Sequence, residues 1–175
     1  MPEVLPRMGL TLRFDESLDR VRYYGRGPRE NYRDRKSGSF FGIWDSTVDG
    51  LGENYVRPQD NGCRSDVRWV AFFNKDGKGV KCSASEPLFV QASPYAWEDL
   101  EFSRHRNGQQ RFRAELKKTD WINVNLDVRQ TGLGGASCGP RPMEQYLYRP
   151  SPEKWTVVFE SFSDLERSSK SERCR

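Results

Sequence analysis

The sequence predicts an all-β fold, a sandwich or barrel of short antiparallel strands. Three observations carry this. Apolar residues recur at every second position in several segments, which is the spacing of a strand and not of a helix. Asp-Gly, Gly-Pro and Gly-Gly steps punctuate those segments as turns do. The chain of 175 residues is also rich in rings, with 13% Phe, Trp and Tyr against only 35% apolar residues of all kinds. A disordered chain is poor in aromatics. The balance instead suits a folded β-structure with wet loops, or a carbohydrate-handling surface on which rings stack.

The elements follow in order. Residues 8–14 place Met8, Leu10, Leu12 and Phe14 on one face, a half-buried strand. Residues 20–24 form a second strand, ended by Gly25-Arg26-Gly27-Pro28. Residues 29–61 show no sustained period, and a loop of that length is usually functional or packed by its own side chains. Residues 63–73 return to strand character, with Val67, Trp69, Ala71 and Phe73 sharing a face and Trp69 in the core. Asn74-Lys75-Asp76-Gly77 predicts a tight hairpin. Its returning strand is residues 79–84, with Val80, Cys82 and Ala84 inward, and residues 87–92 are another short strand. Ser93 and Pro94 predict the start of a helix over residues 95–105, which carries Glu98, Asp99 and Glu101 near its positive end. Residues 121–129 alternate Ile122, Val124, Leu126 and Val128 with Asn123, Asn125, Asp127 and Arg129. A glycine-rich loop at 132–140 follows, then a last strand at 154–162. The organisation expected is one domain over residues 1–162 and a polar tail over 163–175.

Several classes drop out. The net charge of +4 is small for this length and the basic residues do not gather in runs, so no nucleic-acid partner is expected. No apolar run approaches the ~20 residues of a membrane-spanning helix. Residues 1–10 show no basic region leading into an apolar one, which points away from secretion and to the cytoplasm. Cys63, Cys82, Cys138 and Cys174 form no CxxC pair and are expected as reduced thiols.

Candidate chemistry is sparse. His105 is the single histidine, and a lone histidine is more often structural than catalytic. Glu30, Asp34, Asp45, Glu53 and Asp60 are plentiful carboxylates, but a glycosidase needs two set across one bond and spacing alone selects no pair. The glycine loops at 25–28 and 132–139 lack the lysine and following helix of a phosphate cradle, so they read as tight turns. Trp44, Trp69, Trp97, Trp121 and Tyr24 are the rings that could stack on sugar; core packing is the competing role.

An ordered series of motifs adds to this. It runs Leu5-Pro6-Arg7-Met8-Gly9-Leu10, then Tyr24-Gly25-Arg26-Gly27-Pro28-Arg29-Glu30-Asn31-Tyr32-Arg33-Asp34-Arg35. Tyr55-Val56-Arg57-Pro58-Gln59-Asp60-Asn61-Gly62 and Asp66-Val67-Arg68-Trp69 come next. Asn125-Leu126-Asp127, Arg129-Gln130, Gly132-Leu133-Gly134-Gly135 and Ser137-Cys138-Gly139-Pro140 close it. In content and order the series resembles the C-terminal, small-chain part of the β-galactosidases of glycoside hydrolase family 2, from Leu5 to about Ser161.

The resemblance implies an antiparallel β supersandwich of the galactose mutarotase kind, incomplete at its N-terminal side. It implies a retaining glycosidase as the whole enzyme, acting on terminal β-D-galactosides. The two catalytic glutamates of that enzyme lie in a separate (β/α)8 barrel whose motifs do not occur here, so no catalytic residue is carried over. Magnesium and sodium are implied for the complete enzyme and no cofactor for this chain. The implied partners are the β-galactoside, the remaining domains including the barrel, and further copies in an oligomer. The loop after Gly134-Gly135 reaches the sugar in this family, often with a tryptophan; Cys138 stands there in this chain, with Ser137 and Gly139 as its neighbours. Residues 107–112 read as a small insertion and 168–175 match nothing, so the chain is expected to be a fragment, a split product or a truncated gene product. A carbohydrate-binding module and an aldose epimerase are the competing functions, the second disfavoured by the single histidine.

Overall fold

A computed structural model describes residues 3–55, 61–100, 116–135 and 139–164. It contains one seven-stranded sheet in which every pairing is antiparallel. The strands are β1 (Arg7–Asp15), β2 (Arg20–Gly27), β3 (Phe40–Thr47), β4 (Arg64–Phe73), β5 (Lys78–Ser93), β6 (Trp121–Gln130) and β7 (Val157–Ser163). The described helices are two single turns, α1 (Val48–Leu51) and α2 (Trp97–Leu100), and a 3-10 turn at Glu144–Tyr146. The all-β class read from the alternation therefore holds.

The sheet order is β1-β6-β5-β4-β2-β3, with β7 joined to β5 alone. β5 is the pivot. Its first half, from Lys78 to Ala84, pairs with β7, and its second half, from Phe89 to Ser93, pairs with β6. Pro87 cannot donate to a ladder and falls in the gap between the two partners. The short strand expected at residues 87–92 is thus the continuation of one sixteen-residue strand.

The sheet bends until β1 faces β4. Phe14 of β1 meets Phe72 of β4 edge-on, with ring centroids 5.3 Å apart, although β6 and β5 lie between those strands. Inside the bend sit Val21, Tyr23, Val67, Val70, Phe72, Cys82, Leu88, Val90 and the alternating Ile122, Val124, Leu126 and Val128. Burying a side chain such as Phe72, Leu88 or Leu126 in full contributes about 1.5–3 kcal/mol. Met8, Leu12 and Phe14 pack onto this core as expected, while Leu10 at the edge stays exposed.

The alternation proposed for residues 63–73 needs correction. The β4–β5 register shifts between Val67 and Trp69, and Asp66 adopts a left-handed φ of 55°. An extra residue in a strand reverses which positions face inward. Val67 is followed into the core by Val70 and Phe72, while Trp69 is half-buried outside the cluster. Ala71 and Phe73 are buried on the other face, where Phe73 meets Phe162 at 5.2 Å.

Other boundaries moved as well. The stretch read as an unpatterned loop over 29–61 contains β3 and α1, which starts at Thr47, whose hydroxyl accepts from the Gly50 amide at 3.0 Å. The Asn74–Gly77 hairpin is present, with Gly77 at φ 76° and its amide donating to the Asn74 carbonyl. Ser93 accepts from the Tyr95 amide, but the described helix covers only Trp97–Leu100; residues 101–105 of the expected helix lie outside the described residues. β7 runs to Ser163, and the Asp164 amide still bonds the Gly77 carbonyl. No described helix is long and apolar enough to cross a membrane.

Candidate functional site

The glycine-rich loop leaves the end of β6 through a series of fixed contacts. Thr131 donates its amide to the Pro6 carbonyl and its hydroxyl to the Leu5 carbonyl, and accepts from the Tyr148 amide. The Gly132 amide donates to the Tyr146 carbonyl at 2.8 Å. The next two amides, of Leu133 and Gly134, both donate to the Asp34 carboxylate, at 3.1 and 2.7 Å. Gly134 has a φ of 63°, a conformation that glycine adopts without steric cost. Gly132 lies so close to Asp34 that a Cβ there would stand 2.6 Å from the carboxylate carbon.

Beyond this point the loop narrows to a neck. The Gly135 amide donates to the Pro140 carbonyl at 3.0 Å. A Cβ on Gly135 would lie 2.9 Å from the Gly139 Cα, so side chains are excluded where the two glycines pass. Gly139, one of the three site residues expected from the sequence, is an exposed member of this neck. The other two, Ser137 and Cys138, lie outside the described residues.

Asp34 is itself held firmly. It sits in a turn closed by mutual backbone bonds between Tyr32 and Arg35, at 3.2 and 2.9 Å. The Arg33 guanidinium reaches the Gln130 carbonyl at the end of β6. Below the turn, buried Asn31 donates to the carbonyls of Arg26 and Arg29 and accepts from the amide and hydroxyl of Ser65. Glu30 accepts from the Tyr55 and Tyr32 hydroxyls, the Gly62 amide and the Arg35 guanidinium. The motif around residues 24–35 is therefore a clamp that ties the 28–39 segment to β4 and presents Asp34 to the loop.

The titratable groups near this clamp do structural work. Burial pushes the Glu30 carboxyl up, but bonds from Tyr55, Gly62 and Arg35 outweigh it and hold the group below its usual range. Asp66 is likewise pushed up by burial and pulled further down by Lys36 and Arg26. Asp127 goes the other way: burial raises it, against the bonds from Gln130 and the Arg7 charge 3.7 Å away. Of the other acids named from the sequence, Asp45 pairs with Arg22 and Glu53 lies 3.9 Å from Arg29. Asp60 and His105 fall outside the described residues. Cys63 and Cys82 are free and buried, and burial pushes both thiols up to about 12, which makes them poor nucleophiles. Among the described residues no three His, Cys, Asp or Glu side chains converge as a metal would need.

The rings are mostly committed to the fold. Trp44, left open by the sequence, lies in β3, packs on the core and donates its indole N–H to the Gly25 carbonyl. Trp121 stacks under the Arg13 guanidinium at 4.5 Å and donates to Asn123. Trp97 lines a small cavity of about 30 Å³ with Tyr95, Leu100 and Val48, and its buried N–H has no hydrogen-bond partner among the described residues. Tyr24 stays exposed, edge-on to Phe41 at 5.2 Å. What sequence reasoning missed was Asp34 as the anchor of the loop. Its signal was present, because Asp34 and the glycines belong to the same motif series, but a contact across a hundred residues has no local trace.

Comparison with known proteins gives this loop its setting. The family described as "Beta galactosidase small chain" matches residues 1–159. A β-galactosidase of Priestia megaterium is 33% identical over 135 residues, which is 77% of this chain and 12% of that protein. One from Halalkalibacterium halodurans is 29% identical over 157 residues, 89% of this chain and 15% of that protein. One from Pseudoalteromonas haloplanktis is 34% identical over 145 residues, 82% of this chain and 13% of that protein. The chain thus spans less than a sixth of the length of these relatives, and the family match to residues 1–159 covers the Asp34 turn and the glycine neck. By this extended match the chain belongs to the β-galactosidase small-chain family.

Proposed function

We propose that the chain is a non-catalytic portion of a β-galactosidase that hydrolyses terminal β-D-galactosides. It contributes a wall of bent sheet and one loop, with Cys138, Ser137 and Gly139 at the sugar's edge. The reacting carboxylates come from the remainder of the enzyme, a barrel domain of the glycoside hydrolase family 2 type. The observation that carries this reading is the neck at residues 132–135 and 139–140, whose backbone is tied to Asp34 and Tyr146 and across itself. A loop this closely fixed is suited to a binding edge, since positioning is what a scaffold supplies to loop residues. The described acids fit the same reading: Glu30, Asp45 and Asp66 are each engaged with a cation. A sheet that bends until β1 faces β4 is also compatible with a supersandwich of the galactose mutarotase kind. Magnesium and sodium, like the oligomer contacts, belong in this reading to the remainder of the enzyme. The free thiols of Cys63 and Cys82 favour a reducing, cytoplasmic setting.

A chromogenic β-galactoside assay tests this. The chain alone should be inactive, and activity should appear when it is combined with the remaining β-galactosidase domains. Hydrolysis by the chain alone would overturn the proposal. Galactose binding by the chain, with no rescue of the missing domains, would instead mark it as a carbohydrate-binding module.

A further inference from the structure

We infer that the outer face of β2, β3 and β4 is where this chain docks on the rest of the β-galactosidase polypeptide, against a surface that is apolar at its centre and acidic at its rim. The inference rests on reading the chain as one portion of that enzyme. The strand register builds the face. Tyr24 of β2 stands opposite both Ile43 of β3 and Trp69 of β4, so the three side chains form one row across the sheet. Two residues along β2, Arg26 stands opposite Phe41 and extends the same face. Tyr24, Phe41 and Ile43 are all exposed, beside half-buried Trp69. Three rings and an isoleucine side by side on one face of a charged, wet chain mark an interaction surface, and Trp, Tyr and Arg are the residues that dominate the energetics of protein interfaces.

Charge and ring geometry say what fits there. The guanidinium groups of Arg26 and Arg68 lie over the Phe41 ring, at 5.9 and 5.8 Å from its centre. Asp66 already takes Arg26 and Lys36, each at 2.6 Å, whereas exposed Arg68 has no ion pair among the described residues. The Phe41 end therefore carries Arg26, Lys36 and Arg68 against one carboxylate. At the other end Arg22 is held between Asp45 and Asp164, so the excess of cations is local to Phe41. A second copy laid face to face would set this excess against itself, and like charges across an interface are costly. Acidic groups around an apolar centre relieve it, because a guanidinium seated on a ring can still take a carboxylate with both arms of its fork. A sugar is a poorer occupant: Tyr24 and Phe41 meet at 81°, so they offer no common plane on which a pyranose could stack. The matched segment is 12–15% of the length of the β-galactosidase relatives, so most of such an enzyme is available as the covering surface.

The test measures association of the full chain with the remaining β-galactosidase domains by isothermal titration calorimetry. Wild type is compared with Phe41→Ala, Arg68→Glu and Lys75→Glu, the last an equal change of charge at the β4–β5 hairpin. Phe41→Ala and Arg68→Glu should each raise Kd at least about tenfold, as expected when an interface anchor is removed or its charge reversed. Lys75→Glu should leave Kd unchanged. Added salt should weaken association of the wild type more than that of Arg68→Ala, because an acidic rim acts through charge. Unfolding midpoints are measured alongside, and Arg68→Glu, at an exposed position, carries the test if Phe41→Ala unfolds. If the wild type associates and restores galactoside hydrolysis while both face variants associate equally well, the inference fails and the proposed function stands. If the wild type neither associates nor restores hydrolysis, both fail. Lactose added to the chain alone, followed by NMR at Tyr24 and Phe41, checks the sugar alternative: shifts of those signals would make the face a sugar-binding surface and overturn the docking role.

Discussion

Phe14 and Phe72 meet edge-on at 5.3 Å across the inside of the bent sheet, and this contact joins two strands that never pair. Phe72 is fully buried and Phe14 half-buried. Truncating Phe72 to Ala should cost about 3–5 kcal/mol, and Phe14→Ala about 2–3 kcal/mol. The pair carries its own term, so the double mutant should lose less than the two losses added, by about 0.5–1.5 kcal/mol. Urea unfolding of the four proteins measures this. Strict additivity would mean that the two strands are held together by other contacts.

Two acids should pull the pH dependence of stability in opposite directions. Glu30 is held below its ordinary value of 4.5 in the folded chain. The unfolded chain therefore takes up its proton first. The stabilisation from Glu30 is complete above the ordinary value and is lost as pH falls through the folded one. Asp127 is raised above its ordinary 3.8, so the folded chain binds that proton more tightly. Its contribution is complete below the ordinary value and is lost as pH rises through the folded one. Glu30→Gln should lower stability at neutral pH and flatten the acid limb. Asp127→Asn should make the acid limb steeper. Urea unfolding at a series of pH values between about 3 and 7 separates the two, and an unchanged acid limb in Glu30→Gln would exclude its role.

Strands whose own residues alternate were legible in the sequence, and strands defined by their partners were read less well. β6 was found from its alternation, yet its polar row is covered too: Asn125 accepts from Thr11, and Asn123 donates to the Tyr95 carbonyl. β3 was missed because Phe40, Phe41, Ile43 and Trp44 show no strict alternation, and its strand form comes from full pairing with β2. Trp69 was misplaced because a register shift is set by the partner strand and leaves no mark in the pattern of one strand. The same holds for the site. The glycines announced a tight loop, but the group that fixes it is Asp34, placed there by the clamp of Glu30 and Asn31. Pattern reading finds what neighbours in sequence decide, and it cannot see pairings decided by the fold.

Two glycines give a sharp contrast. Gly79 passes so close to β4 that a Cβ would overlap the Phe72 carbonyl oxygen and stand 2.6 Å from the Phe73 Cα. Gly38 has nothing within 4 Å of the same position. Gly79→Ala must push apart the β4–β5 pair and should destabilise by about 2 kcal/mol or more. Gly38→Ala should be neutral or stabilise by up to about 1 kcal/mol, through the reduced freedom of the unfolded chain. Thermal unfolding reads the difference as a shift of several degrees for Gly79 alone. Equal shifts would show that the strands yield to the added methyl group.

Among the described residues, the outer edge of β3 lacks the protection that edge strands usually carry. Its eight residues include no lysine, no proline and no register shift, and Phe40 and Ile43 are 70% and 61% exposed. The opposite edge, β1, carries Arg7 and Arg13 and a register shift at Met8 and Gly9. β3 is therefore the edge expected to recruit another strand when the chain is studied by itself. A lysine at position 43 would place a charge in the middle of that edge and would not disturb the core, because the side chain points to solvent. Ile43→Lys should reduce concentration-dependent self-association of the chain, read by sedimentation velocity, while the unfolding midpoint stays within about 0.5 kcal/mol of the wild type. Association that persists unchanged in Ile43→Lys would shift attention from β3 to the exposed Val158 and Phe159 of β7.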